Sequence, residues 1–389
     1  MRRWWLPAVV LVALNMRPAI VSVPPVIDQI RAQFGLSATA AGALTALPVV
    51  CMGAFAPLAS RATARWGTGP VLAAALALLA VATALRPLGG VALLFAGTLG
   101  VGIGVAVGGA LLPALVRARL GAERLGPATG VYTAALIGGA LLAAAGTEPL
   151  RAALGGSWRA ALALWAVPAI LALAVWTAAA DRDRGGSQAR TEWSPWRSRT
   201  AWLVTVYMGG QSLLFYAPLA WLAARYTDLG WSARDAGLLL GLFTVVQLPS
   251  ALFVPRLARD GLGPWVGAAT SASVLALGLI AVAPRAGAAW AVLLGVGAGA
   301  NFALALTLVA RVAPTPADTP RASGMAFLVG YLLASVGPVA VGALRDATGG
   351  FRWPFLVLVG IGVATTAAGV SAAAAVARAT DRTPGTRRP

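Results

Sequence analysis

Long apolar stretches alternate with short polar turns along the whole 389-residue chain. Twelve such stretches can be drawn, approximately 5–27, 40–60, 69–86, 91–114, 127–147, 159–180, 201–223, 236–256, 264–283, 288–310, 323–343 and 353–377. A helix needs about 20 mostly apolar residues to cross a bilayer, and each stretch is of that order. The turns carry helix breakers, as in Gly67-Thr68-Gly69-Pro70 and Gly261-Leu262-Gly263-Pro264. One connection differs. "DRDRGGSQARTEWSPWRSR" (181–199) is long and polar and reads as a flexible cytoplasmic linker. The pattern predicts an all-α membrane protein of twelve transmembrane helices in two six-helix halves, 1–180 and 200–378, with a cytoplasmic tail at 379–389. The opening "MRRWWLPAVVLVAL" has the basic-then-apolar order of a signal peptide. Its apolar stretch runs on to Ile27 without a distinctive cleavage signature, so it reads as a retained first helix.

The two halves echo each other at a spacing of 194–195 residues. "LSATAAGAL" (36–44) matches "WSARDAGLL" (231–239), and "RATARWGTGP" (61–70) matches "PRLARDGLGP" (255–264). "LGVGIG" (99–104) matches "LGVGAG" (294–299), and "ATG" (128–130) matches "ASG" (322–324). Parallel six-helix repeats are characteristic of secondary transporters whose substrate site lies between the repeats near the bilayer midplane.

Composition sharpens this picture. The chain is 59% hydrophobic and 11% charged, with mean hydropathy +0.80, where soluble proteins carry about 25% charged residues. Lys and His are absent, so all 30 basic residues are Arg, a bias that fits a GC-rich bacterial genome. A net charge of +18 would suit nucleic acid, but the positions of the arginines argue for topology instead. Twenty lie on the side of the N-terminus and nine on the opposite side. The positive-inside rule then places both termini and the linker in the cytoplasm, in the bacterial inner membrane. Tryptophans near the span ends suggest aromatic belts. Cys51, the one cysteine, lies inside an apolar run and rules out a disulfide framework or cysteine metal cluster.

The thirtieth arginine is Arg17, in the middle of the first stretch and followed by Pro18. An Arg at a helix centre costs about 2.5–3.5 kcal/mol on insertion scales and normally faces a cavity or a partner. All twelve acidic residues fall at loops or helix ends, and Asp28 is eleven residues away, roughly 16 Å along a helix. Pro18 cannot donate to the Leu14 carbonyl and is expected to bend the helix beside the charge. Arg17 is therefore the leading candidate for substrate or anion contact. Weaker candidates are Asn15, Tyr132, Gln211, Phe215, Tyr216, Gln247, Asn301 and Tyr331, each equally suited to bonding helices together. The glycine runs 100–109 and 295–299 suit close helix packing. No P-loop pattern is present, and no cofactor or metal is expected. With no intramembrane Asp, Glu or His relay, a facilitator, an anion exchanger or a carrier whose substrate brings its own proton is expected.

Several strings carry a family resemblance: "NMRPAIVSVPPVIDQI", "ALTALPVVCMGAFAPLASR", "ALLPALVR", "QSLLFYAPLAWL" and "GYLLASVGPVAVGALRDATGGFRWPF". They resemble the major facilitator superfamily, and within it the cyanate and 2-nitroimidazole transporter branch, over essentially the whole chain. The resemblance implies transport by alternating access. It also implies cytoplasmic gating loops at Arg61, Arg65 and Gly67 in the first half and Arg259, Asp260 and Gly261 in the second, similar to that superfamily's loop motif but without its first acidic residue. The expected function is transport of a small anion or small planar polar molecule by a monomer in the lipid bilayer, with no nucleic-acid partner and no enzymatic activity. The rival expectations are an exporter of neutral aromatic drugs or nitroheterocycles and a non-transporting receptor or scaffold.

Overall fold

The computed structural model describes residues 5–119, 122–179, 193–258, 261–315 and 318–381. Among them there is no strand, and twelve helical spans are long and apolar enough to cross a membrane. The first is broken into α1 (Trp5–Asn15), α2 (Pro18–Val21), a 3-10 turn (Pro24–Val26) and α3 (Ile27–Phe34). Then come α4 (Ala38–Trp66), α5 (Thr68–Leu85), α6 (Val91–Arg119) and α7 (Ala122–Ala153), followed by α8 (Trp158–Leu164) and α9 (Ala166–Ala179) as one interrupted span. The rest are α10 (Arg199–Thr227), the interrupted pair α11 (Ala233–Val245) and α12 (Gln247–Leu257), α13 (Leu262–Val282), α14 (Gly287–Val312), α15 (Thr319–Thr348) and α16 (Arg352–Asp381). The 181–192 part of the expected linker lies outside the described residues; a 3-10 turn, Pro195–Arg197, precedes α10.

Proline chemistry explains three of the interruptions. Pro18, Pro168 and Pro249 cannot donate to the carbonyls of Leu14, Leu164 and Val245, and the breaks fall at Met16–Arg17, Trp165 and Val246. Pro218 and Pro338 sit in helices that continue through them. The first span also runs further than its apolar pattern predicts. Its polar end "IDQIRAQF" is helical to Phe34 and stops at Gly35, whose φ of 62° suits only a residue without a side chain.

The described chain packs as two compact units. One comprises Met1–Gln188, Tyr216–Val245 and Ser335–Phe351, and the other Ala189–Phe215, Val246–Ala334 and Arg352–Pro389. In the first, α6 packs on α4 and α5, α9 on α5, and α7 on both α1 and α11. In the second, α13 packs on α14 and α16, and α12 on α14.

The repeat is visible in the packing of the first unit. A Cβ on Gly42 of α4 would meet the Pro338 carbonyl oxygen of α15, and one on Gly237 of α11 would sit 3.1 Å from the Ala144 carbonyl oxygen of α7. Gly237 and Ala144 lie one repeat spacing after Gly42 and before Pro338, so the two contacts are repeat-related. The glycine runs do bring helices together. Gly104 faces the Ala75 carbonyl, Gly297 the Ala269 carbonyl and Gly299 the Gln247 carbonyl. Gly104 of α6 and Gly297 of α14 each face the helix that precedes their own, α5 and α13.

Large apolar residues such as Leu142, Ile170, Leu171, Phe253, Leu275 and Val363 are exposed, as a lipid-facing exterior requires. The aromatic belt is only partly realised. Trp66, Trp202 and Trp353 are exposed, but Trp158, Trp176 and Trp221 are buried and donate to Gln33 Oε1, Gly69 O and Pro338 O. Position near a span end sets depth and leaves open which way the indole faces.

Candidate substrate-binding site

Arg17 occupies the break in the first span. It is the N-cap residue of α2, with φ −113° and ψ −34°, and its carbonyl accepts from Ile20 N (3.1 Å) and Val21 N (3.0 Å). Its neighbours show why the chain breaks there. The Leu14 carbonyl, released by Pro18, lies directly against Gly139 of α7, where a Cβ would collide with it and come within 3.3 Å of Pro18 Cδ. Met16, fully buried, points its Sδ to Gly108 of α6. Two glycines on two helices thus hold residues 14–18, and between them the Arg17 side chain is half-buried while Met16 and Pro18 are buried.

The first unit assembles several of the other expected residues near this break. Asn15 is buried and donates through Nδ2 to the Leu11 carbonyl at 2.8 Å. Tyr132, half-buried, packs against the cluster that contains Val12, Ala13 and Met16. It lies seven residues before Gly139, so the two share a face of α7. Met52 packs on the same cluster, and the Tyr216 hydroxyl lies 3.6 Å from its Sδ.

The remaining candidates belong to the second unit, with Phe215 half-buried in α10. Gln211 is buried, and its Nε2 donates to Ser212 Oγ (2.7 Å) and Met208 O (3.1 Å) of its own helix. Asn301 is the centre of a buried network: its Oδ1 accepts from Tyr207 Oη (2.9 Å), has Thr270 Oγ1 at 2.8 Å, and its Nδ2 donates to Ser273 Oγ (3.4 Å). Three helices, α10, α13 and α14, meet there. Tyr207 was not among the expected residues, and nothing local in the sequence marks it. Gln247 begins α12 at the Pro249 break, and Tyr331 stacks on Phe327 with centroids 5.6 Å apart.

Of the expected gating residues, Arg61 and Arg65 are exposed, with Arg65 lying 5.4 Å over the Trp66 ring. Gly67 joins α4 to α5 at φ 83°, a conformation that requires glycine. Its repeat mate Gly261 is extended (φ 174°), so the two loops are not copies in conformation. Arg259 and Asp260 lie outside the described residues.

Sequence reading missed a contact between distant parts of the chain. Asp346, near the end of α15, accepts from Ala38 N and Thr39 N at 2.8 Å each and from Thr39 Oγ1 at 2.7 Å. Ser37 Oγ accepts from Ala40 N, so the first three amides of α4 are satisfied, those of Ala38 and Thr39 by a residue 308 and 307 positions away. Asp228 pairs with Arg345 at 3.4 Å in the same unit, and Thr227 donates to Asp28.

Twelve apolar helices, an internal repeat and a proline-broken first span beside a membrane-embedded arginine define a multi-pass membrane transporter. The chain belongs to the Major Facilitator Superfamily, whose profile matches residues 6–314 and 224–389. It is 36% identical over 376 residues to the uncharacterized transporter YycB of Bacillus subtilis (95% of this chain, 93% of that one). It is 33% identical to the 2-nitroimidazole transporter of Escherichia coli (90% of each chain) and 33% identical to the cyanate transport protein CynX of the same organism (91% and 94%). A solved bacterial homologue of the human lysosomal transporter Spinster, inward-facing and unoccupied, shares the fold at TM-score 0.80 and 16% identity, covering 98% of both chains.

Proposed function

We propose that this protein is a secondary transporter for a small anion or small planar polar molecule, with Arg17 as the central substrate contact. It works by alternating access, as a monomer, in the bacterial cytoplasmic membrane with both termini inside. The observation that carries the reading is the placement of Arg17 at a helix break, half-buried rather than sealed in packing. A guanidinium presents five donors in a planar fork, suited to a flat anion or a nitro group. The two Escherichia coli relatives are named for cyanate and 2-nitroimidazole, one a small anion and the other a flat heterocycle. Tyr132 and Tyr216 supply aromatic surface in the same unit. The loops of Arg61, Arg65 and Gly67, and of Arg259, Asp260 and Gly261, close the cytoplasmic side. With the acids of the spans near their ends rather than at mid-span, the carrier works as a facilitator or exchanger. Uptake of cyanate and of 2-nitroimidazole into proteoliposomes tests this: a proton gradient should not drive accumulation, and protonophore-sensitive accumulation contradicts the coupling.

A second reading, export of nitroheterocycles, is favoured by the 2-nitroimidazole relative. Preferential efflux of the heterocycle with no cyanate exchange selects it.

A further inference from the structure

Arg86 is the most completely enclosed arginine of the described chain. It follows α5, is 1% exposed, and is held by Gly97 of α6, where a Cβ would collide with the Arg86 Cβ. Its Nη2 donates to Ser22 Oγ of the first span at 3.3 Å. Its Nε and Nη1 are buried with no acceptor, and the hydroxyl of Thr83, one turn earlier on the same helix and also fully buried, has no partner. Among the described residues no carboxylate pairs with Arg86. An arginine keeps its charge at ordinary pH. The connection after it is braced by a second arginine: Arg159 Nη1 donates to the carbonyls of Pro87 and Gly89, and its guanidinium stacks over Phe34 (5.3 Å) and Trp158 (4.9 Å). A buried charge is normally paired, and an unpaired one strongly disfavours the fold.

We infer that Arg86, Thr83 and Ser22 form a structural site for a compact monovalent anion of halide size, separate from the substrate contact at Arg17. The anion takes one free N–H group of Arg86 and the hydroxyl of Thr83, and supplies the negative charge that the chain omits. Because Ser22 lies in the broken first span, the anion ties that span to the α5–α6 connection.

The test is thermal unfolding of the purified full chain, followed by its own tryptophan fluorescence, as chloride or bromide replaces gluconate at constant ionic strength. The wild type should show a saturable rise in midpoint with halide. Arg17→Gln should keep that rise, which separates this site from the transport reading. Thr83→Val, close in shape, should raise the half-saturating halide concentration about fivefold, the worth of one hydrogen bond. Arg86→Gln should abolish the response. If Arg86→Gln does not fold, Thr83→Val and Ser22→Ala carry the test alone. A wild-type midpoint indifferent to halide, or an unaltered halide dependence in Thr83→Val and Ser22→Ala, overturns the inference.

Discussion

A methyl group on Gly139 would collide with the Leu14 carbonyl oxygen, while one on Gly138, its neighbour in α7, would meet nothing. Gly139→Ala should therefore lower stability by about 1–3 kcal/mol, the usual range for overpacking, and Gly138→Ala should hold it or raise it by up to about 1 kcal/mol, since Ala is favoured over Gly inside a helix. Thermal midpoints of the two variants, measured side by side, check this. At this scale the sequence was informative where chemistry is local. Arg17 and Pro18 are adjacent, and their juxtaposition within an apolar run is readable without a fold. Arg86 was not readable. Its position at the last residue of the 69–86 stretch made it one of nine arginines on the side opposite the N-terminus, and its enclosure depends on Gly97 and Ser22, which sequence spacing does not connect. Hydropathy ranks residues by depth across the membrane and is silent about lateral burial. Asn301 was visible as a polar residue in a span, but the Tyr207 and Thr270 hydroxyls that occupy its Oδ1 come from two other helices.

At the scale of elements, prolines set where spans break. Pro18→Ala restores an amide that can donate to Leu14, so α1 should run on through Met16 and Arg17. The helix should gain stability, since proline in a helix interior costs about 3 kcal/mol, while uptake should fall because Arg17 is redirected. A higher unfolding midpoint together with slower transport confirms the role of the break, and unchanged transport contradicts it. The contact of Asp346 with the start of α4 leads to a second expectation. Asp346 joins the ends of α4 and α15 by three hydrogen bonds, which the proposed alternating access would break at some stage. In Asp346→Ala, a cysteine introduced at Thr39 should react faster with a membrane-impermeant maleimide than the same cysteine beside Asp346. An equal rate removes Asp346 from the gating cycle. Neither the partner of Asp346 nor the far extent of the first span was legible, since the hydropathy pattern ends where α3 turns polar.

For the whole molecule, twelve spans and the half-chain repeat were legible because membrane insertion demands long apolar runs and repeats keep their turn glycines. The repeat pairs Gly42–Pro338 and Gly237–Ala144 show it surviving in packing, while Gly67 and Gly261 show it lapsing in loop conformation. The arginine distribution gives a topology that vesicle labelling can check. A cysteine introduced at Ser187 in the linker should react with an impermeant thiol reagent in inside-out vesicles and stay protected in right-side-out ones. The reverse pattern inverts the orientation.

The claim on which the rest depends is that Arg17 touches the substrate. It is tested most directly by initial rates of cyanate and 2-nitroimidazole uptake in proteoliposomes carrying wild type, Arg17→Lys or Arg17→Gln at matched protein content and confirmed folding. A charged hydrogen bond is worth about 1.5–3 kcal/mol, so Arg17→Gln should lose at least about tenfold in rate for the transported compound, with Arg17→Lys intermediate. Wild-type rates in Arg17→Gln for every compound the wild type transports would contradict the account.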